Sequence, residues 1–172
     1  MSTSIVLTII SDDRTGIIET LSETLANHQG NWVESSMLSL AGKFAGILHA
    51  NVPKTNAQAL INELQALQST GLQIVVQASN PTDSPAVAQE FSLELVGQDR
   101  PGIVRDISRI LSRYQVNVEE LDTECQSASM SGEDLFLGTA RIRIPKGVSL
   151  EALQRDLEAL ANELMVDLKL EN

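Results

Sequence analysis

The chain repeats itself. Ile5-Val-Leu-Thr-Ile-Ile-Ser-Asp-Asp-Arg-Thr-Gly-Ile-Ile18 lies over Phe91-Ser-Leu-Glu-Leu-Val-Gly-Gln-Asp-Arg-Pro-Gly-Ile-Val104 at an offset of 86 residues. The register continues through a helical stretch and brings Asn31 onto Asn117 and Glu34 onto Glu120. It then lengthens to 92, placing Pro53-Lys54 over Pro145-Lys146, with the six extra residues assigned to the polar stretch Gln126 to Asp134. A fixed internal period means one supersecondary unit used twice. The 172 residues therefore divide into a first domain at 1–79, a linker at 80–89 and a second domain at 90–172. The linker is anchored on Ser79-Asn-Pro-Thr-Asp-Ser-Pro85, polar and twice broken by proline.

Each copy reads as strand, helix, strand, strand, helix, strand. In the first, Ile5–Ile10 is nearly all apolar, the pattern of a strand covered on both faces. Ile18, Leu21 and Leu25 recur at helical spacing, and Trp32–Leu40 and Ala45–Val52 form a hairpin through Ala41-Gly42-Lys43. Thr55-x-x-Gln58 is a capping-box signature ahead of a second helix, and Leu72–Ala78 closes the copy. In the second copy Leu93 and Leu95 alternate, and Ile103, Ile107, Ile110 and Leu111 share a helix face. Leu150, Leu153, Leu157, Leu160 and Leu164 mark the last helix, and Val166, Leu168 and Leu170 the last strand. This order is the split βαβ arrangement. It predicts an α+β protein of two ferredoxin-like βαββαβ domains, each a four-stranded antiparallel sheet with both helices on one face.

Composition narrows the function. With five aromatic residues the cores must be aliphatic. Twelve basic residues against 23 acidic ones give a net charge of −11, and no basic run exists to displace counterions from phosphate, so direct nucleic-acid binding is not expected. No apolar stretch approaches the roughly 20 residues of a membrane span, and Met1-Ser-Thr-Ser4 lacks a basic signal start. A soluble cytoplasmic protein is expected. Cys125, beside Glu124, has no nearby cation to activate it. His28 falls at a helix end, where it complements the dipole, and His49 lies in a strand; neither has partners at metal-ligand spacing, so no metal or cofactor is expected. Nucleophile elbow, phosphate loop and zinc motifs are all missing, which argues against an enzyme.

The chemistry concentrates in the duplicated turn, Asp13-Arg14-Thr15-Gly16-Ile17 and Asp99-Arg100-Pro101-Gly102-Ile103. Glycine lets the chain turn tightly into a helix, Pro101 suits a first helical turn, and Asp13 or Asp99 can accept from the free amides there. The remaining amides point outward at the positive end of the helix dipole and favour an anion such as a carboxylate. A capped helix start that needs no ligand is the competing reading.

At these residues the sequence resembles the ACT domain family, small amino-acid-sensing modules. Gln98-Asp-Arg-Pro-Gly-Ile-Val104, continuing to Val116-Asn117-Val118-Glu119, looks like the family signature; the first copy departs from it, with Thr15 for proline and Gly30-Asn31-Trp32 for Val116-Asn117-Val118. The copies cover nearly the whole chain. A stand-alone pair of this length is similar to the family of glycine cleavage system transcriptional repressors, which are thought to respond to glycine and to act on a separate DNA-binding activator protein without touching DNA.

The resemblance implies a small amino acid, glycine favoured, bound where two such domains meet. Its carboxylate would lie on the amides around Gly16 and Ile17, or Gly102 and Ile103, and its ammonium near Asn31, Asn117 or the loop aspartates. Arg14 and Arg100, and Thr15 with its added amide and hydroxyl, belong to the same candidate set. A tight pocket of this kind would discriminate by size. The expected function is a non-enzymatic, amino-acid-responsive regulator, a homo-oligomer working through a partner protein. The alternatives are a feedback-regulatory accessory subunit of an amino-acid metabolic enzyme and a structural dimerisation module that binds nothing.

Overall fold

The computed structural model describes residues 1–79, 88–127 and 132–172, and the chain divides into two compact units, residues 1–82 and 83–172. The expected linker lies through residue 87 outside the described residues, and Gln89 already opens a strand. In unit 1, β1 (Ser2–Asp12) leads through α1 (Ile17–Asn27) to the hairpin β2 (Asn31–Leu40) and β3 (Lys43–Pro53). There follow α2 (Lys54–Ala66), a 3₁₀ turn (Leu67–Thr70) and β4 (Gln73–Ala78). Unit 2 repeats the order with β5 (Gln89–Gln98), α3 (Ile103–Arg113), β6 (Asn117–Ser127), β7 (Asp134–Ile144), α4 (Leu150–Leu164) and β8 (Val166–Glu171). The sheets are antiparallel and four-stranded, ordered β2-β3-β1-β4 and β6-β7-β5-β8. Two ferredoxin-like α+β domains are therefore present. Of the polar stretch Gln126 to Asp134, Gln126 and Ser127 end β6 and Asp134 begins β7, while 128–131 lie outside the described residues.

Each unit has its own core, aliphatic among the buried residues of unit 1 and joined in unit 2 by buried Phe91 and Phe136, against the expectation of purely aliphatic cores. In unit 1 Ile5, Leu7 and Ile9 of β1 meet Leu21 and Leu25 of α1 and Leu60 and Leu64 of α2. In unit 2 Leu93 and Leu95 meet Ile107 and Leu111 of α3 and Leu153 and Leu157 of α4. A second expectation fails here. The apolar run in β1 is not covered on both faces: Ile5, Leu7 and Ile9 are buried, but Ile10 on the opposite side is 47% exposed. Both helices of the unit cover a single face, so every second residue of β1 points away from them.

The helix ends show what packs the units so alike. Gly30 N–H donates to the Leu25 carbonyl at 2.8 Å and Gln29 N–H to Ala26 at 2.9 Å; Val116 and Gln115 do the same to Leu111 and Ser112 at 2.9 and 3.0 Å. This is the Schellman pattern that satisfies the last carbonyls of a helix. The left-handed position is filled by Gln29 (φ 58°) and Gln115 (φ 56°), where glycine is the usual residue. From the cap residues just before them, the His28 ring nitrogen Nε2 meets Glu63 Oε2 at 2.6 Å, and Tyr114 O–H donates to Asp156 at 2.7 Å. Position 28 falls on position 114 in the repeat, so one clamp between the two helices is built twice from different chemistry.

The capping expectation for α2 is corrected. Thr55 does not cap α2, whose N-cap is Pro53 without a side-chain bond; the Thr55 hydroxyl donates to Asn56 instead, at 3.1 Å. The side-chain cap lies in unit 2, where Ser149 Oγ accepts from Ala152 N–H at 3.2 Å. Among the described residues no helix is long and apolar enough to cross a membrane.

Replacing Gln115 by glycine should stabilise the chain by about 1 kcal/mol, since a side chain in the left-handed region costs ~1–2 kcal/mol and part of that returns as glycine's chain entropy. Urea unfolding monitored by circular dichroism measures it. Leu157→Ala, at a position with no exposed surface, should cost about 2–5 kcal/mol in the same experiment.

Candidate functional site

The turn joining the first strand to the first helix has the same geometry in both units. Gly16 (φ 92°, ψ 1°) and Gly102 (φ 97°, ψ −1°) occupy the left-handed region as N-caps, a conformation that side-chain-bearing residues adopt at a cost. The first helical bonds run from Thr20 N–H to the Gly16 carbonyl at 3.0 Å and from Asp106 N–H to Gly102 at 2.9 Å. No side chain caps either helix. The amides of the first turn thus point outward without a helical partner, at the positive end of the dipole.

The loop aspartates, expected to accept from those amides, are used elsewhere. Asp13 N–H donates to the Gly42 carbonyl at 3.0 Å, and its carboxylate accepts from the Ser39 hydroxyl at 2.6 Å. In unit 2 Asp99 N–H donates to the Asp134 carbonyl at 2.8 Å, and its carboxylate stands beside the Cys125 thiol. Ser39 and Cys125 are equivalent in the repeat, so each aspartate ties its loop to the end of the edge strand, β2 or β6. Partial desolvation and the Asp99 charge hold the thiol above its ordinary pKa. Cys125 is exposed, which limits the effect of desolvation and leaves the adjacent carboxylate as the main cause. Pro101 precedes the N-cap and so belongs to the turn, not to the first helical turn as expected.

Arg14 is likewise committed, donating to the Thr70 carbonyl at 2.6 Å and fastening the loop to the 3₁₀ turn. Asn31 and Asn117 do not join the turn of their own unit. Asn31 opens β2 opposite Asn51, which pairs with Ser4 near the start of β1, whereas the turn follows Asp12 at its end. Eight residues of strand separate those ends, roughly 26 Å at ~3.3 Å per residue. Asn117 opens β6 opposite Arg143, whose partner in β5 is Glu90, at the matching far end. The reason is topological: α1 or α3 carries the chain back along the sheet before the next strand begins.

What the units do not share is the wall of the turn. In unit 1 a depression of about 410 Å³ is lined by Arg14, Thr15, Gly16, Ile17 and the side of α1 bearing Glu19, Thr20 and Glu23. A Cβ on Gly16 would meet nothing within 4 Å. In unit 2 the same positions carry Arg105, Asp106 and Arg109, and a Cβ on Gly102 would stand 2.9 Å from the Arg105 guanidinium. Arg105 Nε donates to Asp106 Oδ1 at 2.8 Å; that bond, with Arg109 and Arg100 nearby, holds Asp106 below the usual carboxylate range. Glu19 and Glu23 escaped the sequence reading. Their signal was the replacement of two carboxylates by two arginines at an offset of 86 residues.

A larger depression, about 570 Å³, lies on the open sheet face of unit 2, away from the turn. Its cation, Arg141, is already paired with Glu90 at 3.7 Å and Glu120 at 3.3 Å, so the turn is the better candidate for an anionic group. Among the described residues no group of three or more His, Cys, Asp or Glu is placed to hold a metal.

The sequence profile of the ACT domain family matches residues 3–77 and again residues 92–171. The chain belongs to the ACT domain family. An unknown protein from Galdieria sulphuraria has a similar structure over 99% of this chain and 98% of its own, with 29% identity and a TM-score of 0.85. A candidate glycine cleavage system transcriptional repressor aligns over 100% of this chain and 99% of its own, with 19% identity and a TM-score of 0.70. At that identity the likeness is one of fold. No curated protein matches the sequence. These two ACT domains thus share the turn and differ in what surrounds it.

Asp99→Asn should lower the Cys125 thiol pKa and speed its alkylation by iodoacetamide near neutral pH by up to about fivefold, the effect of one charge at ~4 Å in water. An unchanged rate would mean that the carboxylate does not control the thiol.

Proposed function

We propose that the chain is a non-enzymatic, amino-acid-responsive regulator in which the turn of unit 1 holds a small amino acid. The observation that carries this is the pairing, in one depression, of an uncapped, sterically open helix start with two carboxylates. A zwitterion needs both: outward amides for its carboxylate and acceptors for its ammonium. Glu19 and Glu23 replace Asn31 and Asn117 as the proposed acceptors. Thr15 lines the same wall. In unit 2 the Arg105 side chain over Gly102 occupies the corresponding space, so that domain serves in structure or in partner contact. Asp99, Arg100, Gly102 and Ile103 then keep the turn without the ligand.

The open depression is large beside a glycine-sized ligand, within the ~300–1,000 Å³ typical of small-molecule sites. Glycine is nevertheless the first amino acid to test, because the chain shares its fold over full length with the candidate glycine cleavage repressor. The partner in this reading is a DNA-binding activator protein, as the resemblance to glycine cleavage repressors implies. An acidic chain without a basic stripe suits regulation through protein contact better than contact with DNA.

Thermal unfolding of the chain against the twenty amino acids tests the reading. A cognate ligand at a hundred times its Kd adds about 2.7 kcal/mol to apparent stability, a clear upward shift in Tm. Glu23→Gln should weaken binding about tenfold or more, in line with a lost hydrogen bond to a charged group. Arg105→Ala should leave binding unchanged. No shift with any amino acid would exclude sensing by the isolated chain; a shift abolished by Arg105→Ala would move the site to unit 2.

A further inference from the structure

The two sheets, related by duplication, have opposite surfaces on the side that the helices leave open. Register places Leu38, Ala45, Ile10 and Gln73 in one row across unit 1, and Ser36, Ile47, Thr8 and Val75 in the next. The matching rows of unit 2 read Glu124, Leu137, Val96 and Asp167, then Asp122, Thr139, Glu94 and Lys169. Where unit 2 carries Glu124 and Lys169, unit 1 carries Leu38 (50% exposed) and Val75 (58%). Ile10 and Ile47 are about as exposed, at 47% and 49%. Unit 2 shows that this fold is content with charge on its open face, so the aliphatic face of unit 1 is not a requirement of the domain. It also accounts for the β1 sequence, whose apolar run has the composition of a strand covered on both sides but the cover of only one.

We propose that this face of unit 1 is where two copies of the chain associate, sheet against sheet about a two-fold axis. Charge selects a second copy over a foreign partner. The chain carries a net −11, so two copies repel through most of their surfaces. On this face the rows above hold no formal charge, Asp12 and Lys43 at one end neutralise each other, and Glu34 stands at the other. A basic partner would be drawn to the acidic rows of unit 2 instead. Size agrees. Strands of 10 and 11 residues beside the 6-residue β4 give a face of roughly 30 by 19 Å at ~3.3 Å per residue and ~4.8 Å between strands. With side-chain relief that approaches the ~800 Å² per partner of a stable interface. Aligned sheets packing ~10 Å apart are an established way to bury such faces. The association is independent of amino-acid binding at the turn.

Sedimentation velocity on the full chain at micromolar concentration should show a dimer. Leu38→Glu with Val75→Lys, which writes the unit 2 residues into unit 1, should weaken it by at least about tenfold while leaving the circular dichroism spectrum unchanged. Independently, Ile47→Cys in a Cys125→Ser background should crosslink between chains with a short bismaleimide, and Glu94→Cys in the same background should not. A monomeric wild-type chain overturns the proposal. So does a dimer that survives the double substitution, or one that crosslinks through Glu94→Cys and not through Ile47→Cys.

Discussion

A strand that must hand its chain to a helix lying back across the same sheet has little room in which to reverse. Gly16 and Gly102 make that reversal possible by holding φ near +90° directly ahead of the helix, where a Cβ would be strained. The rest of each unit follows from it. With α1 or α3 laid back over the sheet, the next strand starts at the far end, pairs in a hairpin, and leaves the second helix to cover the same face. The turn that sets the topology therefore also exposes the first amides of the helix, because neither loop aspartate is free to cap them. Outward amides are a by-product of the geometry in both units, and the side chains that stand around the turn differ between them.

The architecture was readable because period and turn chemistry agreed at every level. Alternation in β5, the leucine stripe of α4 and a left-handed glycine at a fixed place in both copies left few other folds open. Each failure has a physical reason of its own. Thr55-x-x-Gln58 has the letters of a capping box, but α2 begins at Lys54 with Pro53 as its cap, and that two-residue shift of the cap removes the box. Asn31 and Asn117 follow the turn at equal distances in sequence, which looked like one site. A helix that runs back along the sheet converts that equal spacing into separation.

The repeat offset also holds information that motif reading discards. Aligned copies can be compared as two solutions to one fold, so differences between them point to what each has been released to do. Ser39 and Cys125 preserve a tether to the loop aspartate, and His28 and Tyr114 preserve a clamp between helices. By contrast Glu19 and Glu23 become Arg105 and Arg109, and Leu38 and Val75 become Glu124 and Lys169. Positions that hold the domain together change chemistry but keep contact; positions on its surfaces change sign or polarity.

Duplication explains why such divergence is tolerated. A single domain serving the proposed roles would have to keep its turn open for a ligand, its sheet face dry for a second copy and its surface charged for solubility. Those demands conflict on so small a core, since each exposed aliphatic residue adds to the apolar patch that solubility limits. With two copies, unit 2 supplies charge on its open face and arginines at its turn, while unit 1 keeps an aliphatic face and carboxylates beside its turn. The family likeness is stronger in unit 2, but the turn with room around it is in unit 1. A motif's closeness to its family pattern reports the backbone it builds, and only the side chains that wall it report whether a ligand can enter.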